Sequence, residues 1–231
     1  MNIEDIFSNL GGEFITPFID IIEKLRHIKA YLFDWDGVFN AGIKGEETSS
    51  TYTEPDSMGT NLLRFGHFLK NNELPLFGII TGQKNPSAFQ FSKREHLHFV
   101  YYNLLDKIEA LDHIQITYNI QPDQVAFVFD DVLDLSIASH CGLRFLIKRG
   151  AGPLFKTYVK EKGLCDYISA NSGSQYGVRE VCELVLGISG VFSKVIDKRV
   201  EFGNKYHMYI SKRNSVSTAF YTKKDGIIVE Q

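Results

Sequence analysis

Short, largely apolar runs recur along the chain, each ending abruptly in polar residues or glycine: Ala30 to Phe33, Leu76 to Ile80, Phe99 to Tyr102, Val125 to Phe129 and Arg144 to Ile147. Near-continuous apolarity over so few residues is the pattern of strands buried on both faces. Between these runs, apolar positions fall at helical spacing over Met58 to Asn71, Ser87 to Glu95, Asp106 to Tyr118 and Val132 to His140. Strands alternating with helices predict a doubly wound, mostly parallel, Rossmann-like α/β sheet. Helical spacing also links Ile3, Ile6, Phe7 and Leu10, and then Ile19, Ile22 and Leu25, with Gly11-Gly12 and Pro17 interrupting. Two short helices are therefore expected ahead of the first strand. Residues 38 to 54 carry no helical pattern; Gly42, Gly45 and the Thr/Ser-rich stretch Thr48 to Thr53 predict a β-hairpin insertion. From about residue 188 the chain becomes basic-leaning and aromatic, with a final hairpin expected around Lys224-Asp225-Gly226. The pattern divides the chain into an N-terminal helical extension (1–28), a main α/β domain (29–187) and a C-terminal extension (188–231).

Composition adds limits to this picture. The 231 residues are 44% hydrophobic, enough for a full core, and the formal net charge of -3 implies no bulk attraction to nucleic acid or an anionic membrane. An anionic ligand must then be held by local groups. The aromatic and basic tail carries no recognisable nucleic-acid-binding motif. Cys141, Cys165 and Cys182 are odd in number and widely spaced, which argues against a disulfide framework and a zinc site. No secretory signal or membrane-length apolar run is read, so a cytoplasmic protein is expected. The histidines, including His67, His96 and His98, form no ligand set and are expected to pack or face solvent.

In a doubly wound sheet, ligands bind at the carboxyl ends of the strands near the point where strand order reverses. The sharpest chemical pattern lies at such an end: Asp34-Trp35-Asp36-Gly37-Val38 directly follows Tyr31-Leu32-Phe33. Two carboxylates two residues apart point toward one site, and the intervening backbone carbonyl also faces it. That set suits a hard cation and an incoming phosphate, with one carboxylate attacking phosphorus and the other managing protons. Taken alone, the motif also fits an acidic turn or a plain cation site. Thr81-Gly82 closes the second run, Lys107 follows the third, and Asp130-Asp131, with Asp134 beyond, closes the fourth.

In this order the segments resemble the four motifs of the haloacid dehalogenase superfamily, whose phosphatases carry the Asp-x-Asp-Gly-Val form of the first. The resemblance spans roughly residues 28 to 187. It implies that Asp34 is the nucleophile, and that Asp36 protonates the leaving oxygen and then activates water. It implies magnesium held by the Asp34 carboxylate, the Asp36 backbone carbonyl and the Asp130 carboxylate, with Asp131 and Asp134 behind them. Thr81, the Gly82 amide and Lys107 would hold the phosphoryl group. The spaces between Asp36 and Thr81 and between Thr81 and Lys107 leave no room for a cap domain. The chain thus resembles the capless branch that acts on octulosonate 8-phosphate and sialic-type acid 9-phosphates, in which neighbouring subunits of a tetramer close the site. Tyr176-Gly177-Val178-Arg179-Glu180 resembles a segment of that branch near the site, so Arg179 is expected at the substrate.

Three positions depart from the branch: Phe129 replaces a glycine, Glu54-Pro55 stands where an arginine is usual, and Gln83 replaces the arginine after Thr-Gly. An amide cannot reproduce a bidentate guanidinium, so carboxylate recognition must differ, with Lys84, Lys148 or Arg149 as substitutes. The expected function is a magnesium-dependent phosphatase of a small sugar-acid phosphate, working as a homo-tetramer. Alternatives are another small phosphate ester, or a catalytically weakened partner of sugar-acid cytidylyltransferase chemistry. The C-terminal extension is expected to be an interaction element or a lid over a neighbouring subunit.

Overall fold

The computed structural model describes residues 2–45 and 50–231. One nine-stranded sheet runs in the order β1-β7-β6-β5-β2-β3-β4-β8-β9. The strands are β1 (Glu13–Phe14), β2 (Ala30–Phe33), β3 (Leu76–Thr81), β4 (Phe99–Tyr102), β5 (Val125–Phe129), β6 (Leu143–Leu146), β7 (Tyr167–Ile168), β8 (Ala219–Lys224) and β9 (Ile227–Glu230). All neighbours pair in parallel except β1 with β7 and β8 with β9, the two outermost pairs. The five strands read from apolar runs form the middle of this sheet, and the expected doubly wound architecture is what the chain adopts.

Alternation along each strand splits the core in two. Tyr31 and Phe33 of β2, with Phe77 and Ile79 of β3 and Val128 of β5, face a layer built from α1 (Ile3–Leu10), α2 (Phe18–Leu25), α3 (Glu54–Asn71), α4 (Pro86–Glu95) and α8 (Gly177–Ile188). Ala30, Leu32, Ile80, Phe127 and Phe129 face the other side, where α5 (Ile108–Tyr118), α6 (Leu135–Ala138) and α7 (Pro153–Glu161) pack. With both faces covered, polar groups at the strand ends meet solvent only at the rim. Between β2 and β3 the described residues supply a loop and α3; between β3 and α5 they supply only α4 and β4. No cap domain stands among the described residues. The hairpin expected over 38 to 54 shows an isolated bridge at Gly45, and its tip, residues 46–49, lies outside the described residues.

The positions that depart from the expected pattern resolve into packing. Phe129 is fully buried beneath the sheet, stacked on Phe127 at 5.8 Å between ring centroids, and does not narrow the site. Glu54-Pro55 starts α3: Thr53 accepts from the Asp56 N–H (3.2 Å) and Pro55 sits in the first turn, where its missing N–H costs nothing. The helix expected from Val132 to His140 is a 3-10 turn (Val132–Asp134) followed by one α-turn (Leu135–Ala138), with Asp131 and Asp134 capping its start.

Residues 188–231 fold onto their own chain. The helices α9 (Phe192–Glu201) and α10 (Asn204–Asn214) lie on α3, where the buried Tyr209 hydroxyl donates to the Asn61 carbonyl (3.1 Å) and its ring lies 5.0 Å from that of Phe65. The expected final hairpin forms around Asp225 and Gly226, both in the left-handed region, and β8 joins the sheet beside β4. A strand directed by partners far away in sequence leaves no local pattern, so this pairing escapes a reading of the chain alone.

At the opposite edge, Asp166 fastens the N-terminal extension. Its carboxylate accepts from Thr16 Oγ1 and Lys24 Nζ (both 2.6 Å) and from the Arg144 backbone and side chain, while its carbonyl accepts the Ile15 and Thr16 N–H groups. Burial alone would raise its pKa; the bonds from Arg144, Lys24 and Thr16 outweigh burial and hold it below the ordinary value of 3.8. Its stabilisation is therefore complete above that unfolded-chain value and drains away as pH falls through the lower folded one. Asp166→Ala should cost about 3 kcal/mol in urea unfolding at neutral pH, since the half-buried Arg144 and Lys24 and the Thr16 hydroxyl all lose their shared buried partner. The gap between the two proteins should narrow below pH 3.8, and a constant gap would contradict this account.

Candidate active site

The strands β2, β3, β4 and β5 run parallel side by side, and β2 sits between β5 and β3, so the order of the chain reverses at its carboxyl end. Asp34 continues the ladder one residue past β2, its N–H donating to the Val128 carbonyl (2.9 Å). The pleat then turns Trp35 into the core, where it stacks on Phe39 with ring centroids 4.8 Å apart, while Asp34 and Asp36 line the cleft. The chain leaves through a tight turn. Asn40 Oδ1 accepts the Gly37 and Gly42 N–H groups (3.3 and 2.8 Å), and Asn40 Nδ2 donates to the Trp35 carbonyl. Gly37 is required here: its φ is +89°, and a Cβ would stand 2.1 Å from Asp130 Oδ2.

Lys107, at the start of α5, reaches over the end of β2. Its Nζ donates to Asp34 Oδ1 (2.6 Å) and Asp134 Oδ1 (2.5 Å), and the lysine is almost fully buried. Burial disfavours the ammonium, but Asp34 and Asp134 more than compensate and hold its pKa above the ordinary lysine value. Asp134 uses its other oxygen to accept the Asp130 and Asp131 N–H groups (3.4 and 3.3 Å), which fixes the loop after β5. One oxygen each from Asp34, Asp130 and Asp134 lies within 4.8 Å of the others. Burial, with Asp134 adding to it, pushes the Asp34 carboxyl up to about 6 against the pull of Lys107. Burial and the charges of Asp34 and Asp134 push Asp130 up to about 8, partly relieved by Arg149. Crowded, dry carboxylates of this kind are the donor set a hard divalent cation prefers, so magnesium fits these residues. With both Asp134 oxygens engaged, Asp34 and Asp130 are the two carboxylates left to hold it.

The remaining predicted residues divide. Thr81 is buried at the end of β3, while Gly82 and Gln83 reach the cleft, an open space of about 420 Å³. Arg149 also lines it, with Nε in ion-pair contact with Asp130 and Nη1 3.1 Å from Asp131 Oδ2. Lys84 and Lys148 are exposed outside the cleft lining, and Lys148 contributes a backbone N–H to Ser169 Oγ (3.0 Å). Arg179 is not among the residues lining the cleft of its own chain. Its backbone N–H donates to Asp56 and its Nε to Glu183 (2.6 Å), so within the chain it secures α8 to α3 away from the cleft. The neighbouring Glu180 is buried and accepts from Tyr167, Ala170 and Asn171. His67 and His98 pack, with burial pushing both down to about 4.

Two residues at the site were not anticipated. Lys44 Nζ lies 3.1 Å from Asp36 Oδ2, and Asn85 Nδ2 donates to both Asp36 Oδ2 (3.0 Å) and Thr81 Oγ1 (2.9 Å). Lys44 lies between two glycines in a segment without periodicity, and Asn85 reads as an ordinary helix cap before Pro86. Neither position advertises itself.

No family model matches the chain. Among curated proteins it is 26% identical over 172 residues to the 3-deoxy-D-manno-octulosonate 8-phosphate phosphatase KdsC of Yersinia pestis, covering 72% of this chain and 84% of that protein. It is 26% identical over 176 residues to KdsC of Escherichia coli, covering 74% and 86%. Among solved structures, 3-deoxy-D-manno-octulosonate 8-phosphate phosphatase from Moraxella catarrhalis, in complex with magnesium, phosphate and KDO, superimposes with a TM-score of 0.64 at 25% identity, covering 78% of this chain and 97% of that one.

Removal of the Asp130 charge tests the cation assignment. Wild-type protein should gain several degrees of melting temperature from millimolar magnesium, because the ion binds only the folded state. Asp130→Asn should lose that gain, yet melt no lower than wild type in chelator, since one crowded buried charge is gone. A magnesium shift of full size in the variant would refute the assignment.

Proposed function

Because the chain belongs to the capless branch of the haloacid dehalogenase superfamily that holds the octulosonate 8-phosphate phosphatases, we propose that it hydrolyses the phosphomonoester of a small sugar acid, with magnesium as its cofactor. The observation that carries this reading is the buried Lys107 bonded to Asp34 and Asp134 at the point where strand order reverses. A structural or regulatory module has little use for a desolvated lysine shared by two buried carboxylates beside a third. The chemistry is among the slowest without a catalyst, so positioning and charge neutralisation must act together.

The steps follow from the side chains. Asp34 attacks phosphorus with one carboxylate oxygen as the phosphorus–oxygen bond to the sugar breaks. The departing oxygen takes a proton from Asp36. In the second step Asp36, now ionised, takes a proton from water, whose oxygen attacks the phosphorus of the aspartyl phosphate. The bond to Asp34 breaks, inorganic phosphate leaves and both carboxyl groups regain their starting forms. Lys107 and the Thr81 hydroxyl with the Gly82 amide hold the phosphoryl oxygens as charge redistributes. Magnesium, held by the Asp34 and Asp130 carboxylates and the Asp36 carbonyl, would supply positive charge that lets two anions approach each other.

For the sugar-acid end of the substrate, Gln83 stands in place of the guanidinium, and of Lys84, Lys148 and Arg149 it is Arg149 that lines the cleft. A sialic-type acid phosphate or another small ester is the alternative within the same chemistry. We propose that the chain works as a homo-tetramer in which a neighbouring subunit covers Leu105 and Leu133, which line the cleft and are 100% and 70% exposed. Among the described residues no helix is long and apolar enough to cross a membrane.

Phosphate release from a panel of sugar-acid phosphates and aryl phosphates, with magnesium, tests the reaction. Asp34→Asn should lose at least about a thousandfold in turnover, the scale expected for removing a nucleophile. Equal release by wild type and variant would end the proposal. Replacing both Leu105 and Leu133 by Asp should reduce particle mass in light scattering; an unchanged tetramer, or a wild type that is already monomeric, would refute the assembly.

A further inference from the structure

Asn85 immediately precedes α4 and has extended backbone angles, φ -94° and ψ 109°, the setting in which an asparagine side chain ordinarily accepts an N–H of its own helix. It makes no such bond. Forgoing a cap costs a helix about 1 kcal/mol, so the side chain is held elsewhere by something of comparable worth. Both hydrogens of its amide nitrogen are committed, one to Asp36 Oδ2 (3.0 Å) and one to Thr81 Oγ1 (2.9 Å). The amide oxygen accepts from Ser50 Oγ (3.4 Å), and that oxygen accepts in turn from the indole N–H of Trp35 (3.1 Å). Each donor and acceptor in this chain is used in one sense only. With the proton that Asp36 transfers carried on Oδ1, Oδ2 only accepts, so the nitrogen must face it, and the Ser50 hydroxyl, already an acceptor from Trp35, must donate to the amide oxygen. The orientation of the amide is thereby locked from a buried tryptophan outward to the cleft.

Resting on the phosphatase reading above, we infer that Asn85 is a positioning residue that holds Asp36 in register with the leaving oxygen and turns the Thr81 hydroxyl toward the phosphoryl group. Only one Asp36 oxygen is tied, by Asn85 and Lys44; the other has no partner among the described residues. Two donors on one oxygen fix the plane of the carboxyl group and leave its second oxygen to handle the proton. Thr81, with a lone pair occupied by Asn85, has its hydrogen free to donate away from the amide.

Proton donation matters most when the leaving oxygen is basic, which gives the inference a readout that simple loosening of the fold would not imitate. With wild type and Asn85→Ala, kcat/KM is measured across aryl phosphates running from p-nitrophenyl to p-methoxyphenyl phosphate. The loss in the variant should grow along the series, from a few-fold to about a hundredfold, the range of a general acid placed out of reach. A loss of equal size on every ester, or no loss, would overturn the role of Asn85. Should Asn85→Ala fail to fold by circular dichroism, Ser50→Ala decides the matter. It removes the prop behind the amide and should show the same leaving-group trend at smaller amplitude; a flat profile would overturn the inference. The phosphatase reading fails separately, if wild type releases no phosphate from any ester or Asp34→Asn matches it.

Discussion

Bringing three carboxylates within a few ångströms of one another in a dry pocket is costly, and the rest of this structure is arranged around that cost. Asp34, Asp130 and Asp134 are each nearly inaccessible, and one ammonium, Lys107, is shared between two of them. Like charges buried together repel strongly where water cannot screen them. A sheet covered on both faces, with β2 flanked by parallel neighbours, supplies a frame stiff enough to keep such groups from moving apart. The backbone contributes as well: the N–H groups of Asp130 and Asp131 point at Asp134, and Gly37 lets the turn pass close to Asp130. The strain is local, and it coincides with the place where an anionic substrate must be accepted.

Much of this was legible from residue order alone. Runs such as Val125 to Phe129 are too short and too apolar for a helix, and their abrupt acidic ends mark where the strands open toward ligand. Asp34 and Asp36 could be picked out as paired carboxylates at a strand end, whereas Lys107 and Asp130 stood out only through the resemblance of the motif order, since a lone lysine there reads as solvated and an aspartate as a cap. What escaped was contact made across long separations. Asn85 meets Asp36 across 49 positions, and its identity as a cap residue disguises the bond. The bond of Arg179 to Glu183, four residues on along α8, is the short-range kind that helical spacing does make legible. The buried stacking of Phe129 on Phe127 depends on which face the residue takes, and that is settled by register with β6.

The two extensions illustrate how secondary contacts hold a site that they never touch. The N-terminal segment is locked through Asp166 to the strand edge at β6 and β7, and the helices α9 and α10 are laid across α3 through Tyr209. The same α3 also meets Arg179 of α8 through Asp56. The catalytic loops hang from strands whose outer supports come from the ends of the chain.

The parallel pairing of β8 with β4 has a consequence for how the molecule is made. Residues 99–101 find their hydrogen-bonding partners at 219–221, so this side of β4 stays bare while more than a hundred further residues emerge from the ribosome. An unpaired parallel strand rich in tyrosine and phenylalanine is a template for any other chain nearby, and joining distant segments is slow. Biogenesis therefore has a late closing step, in which the last hairpin seals the sheet. Crowding by nascent copies is most hazardous in the interval before that seal forms.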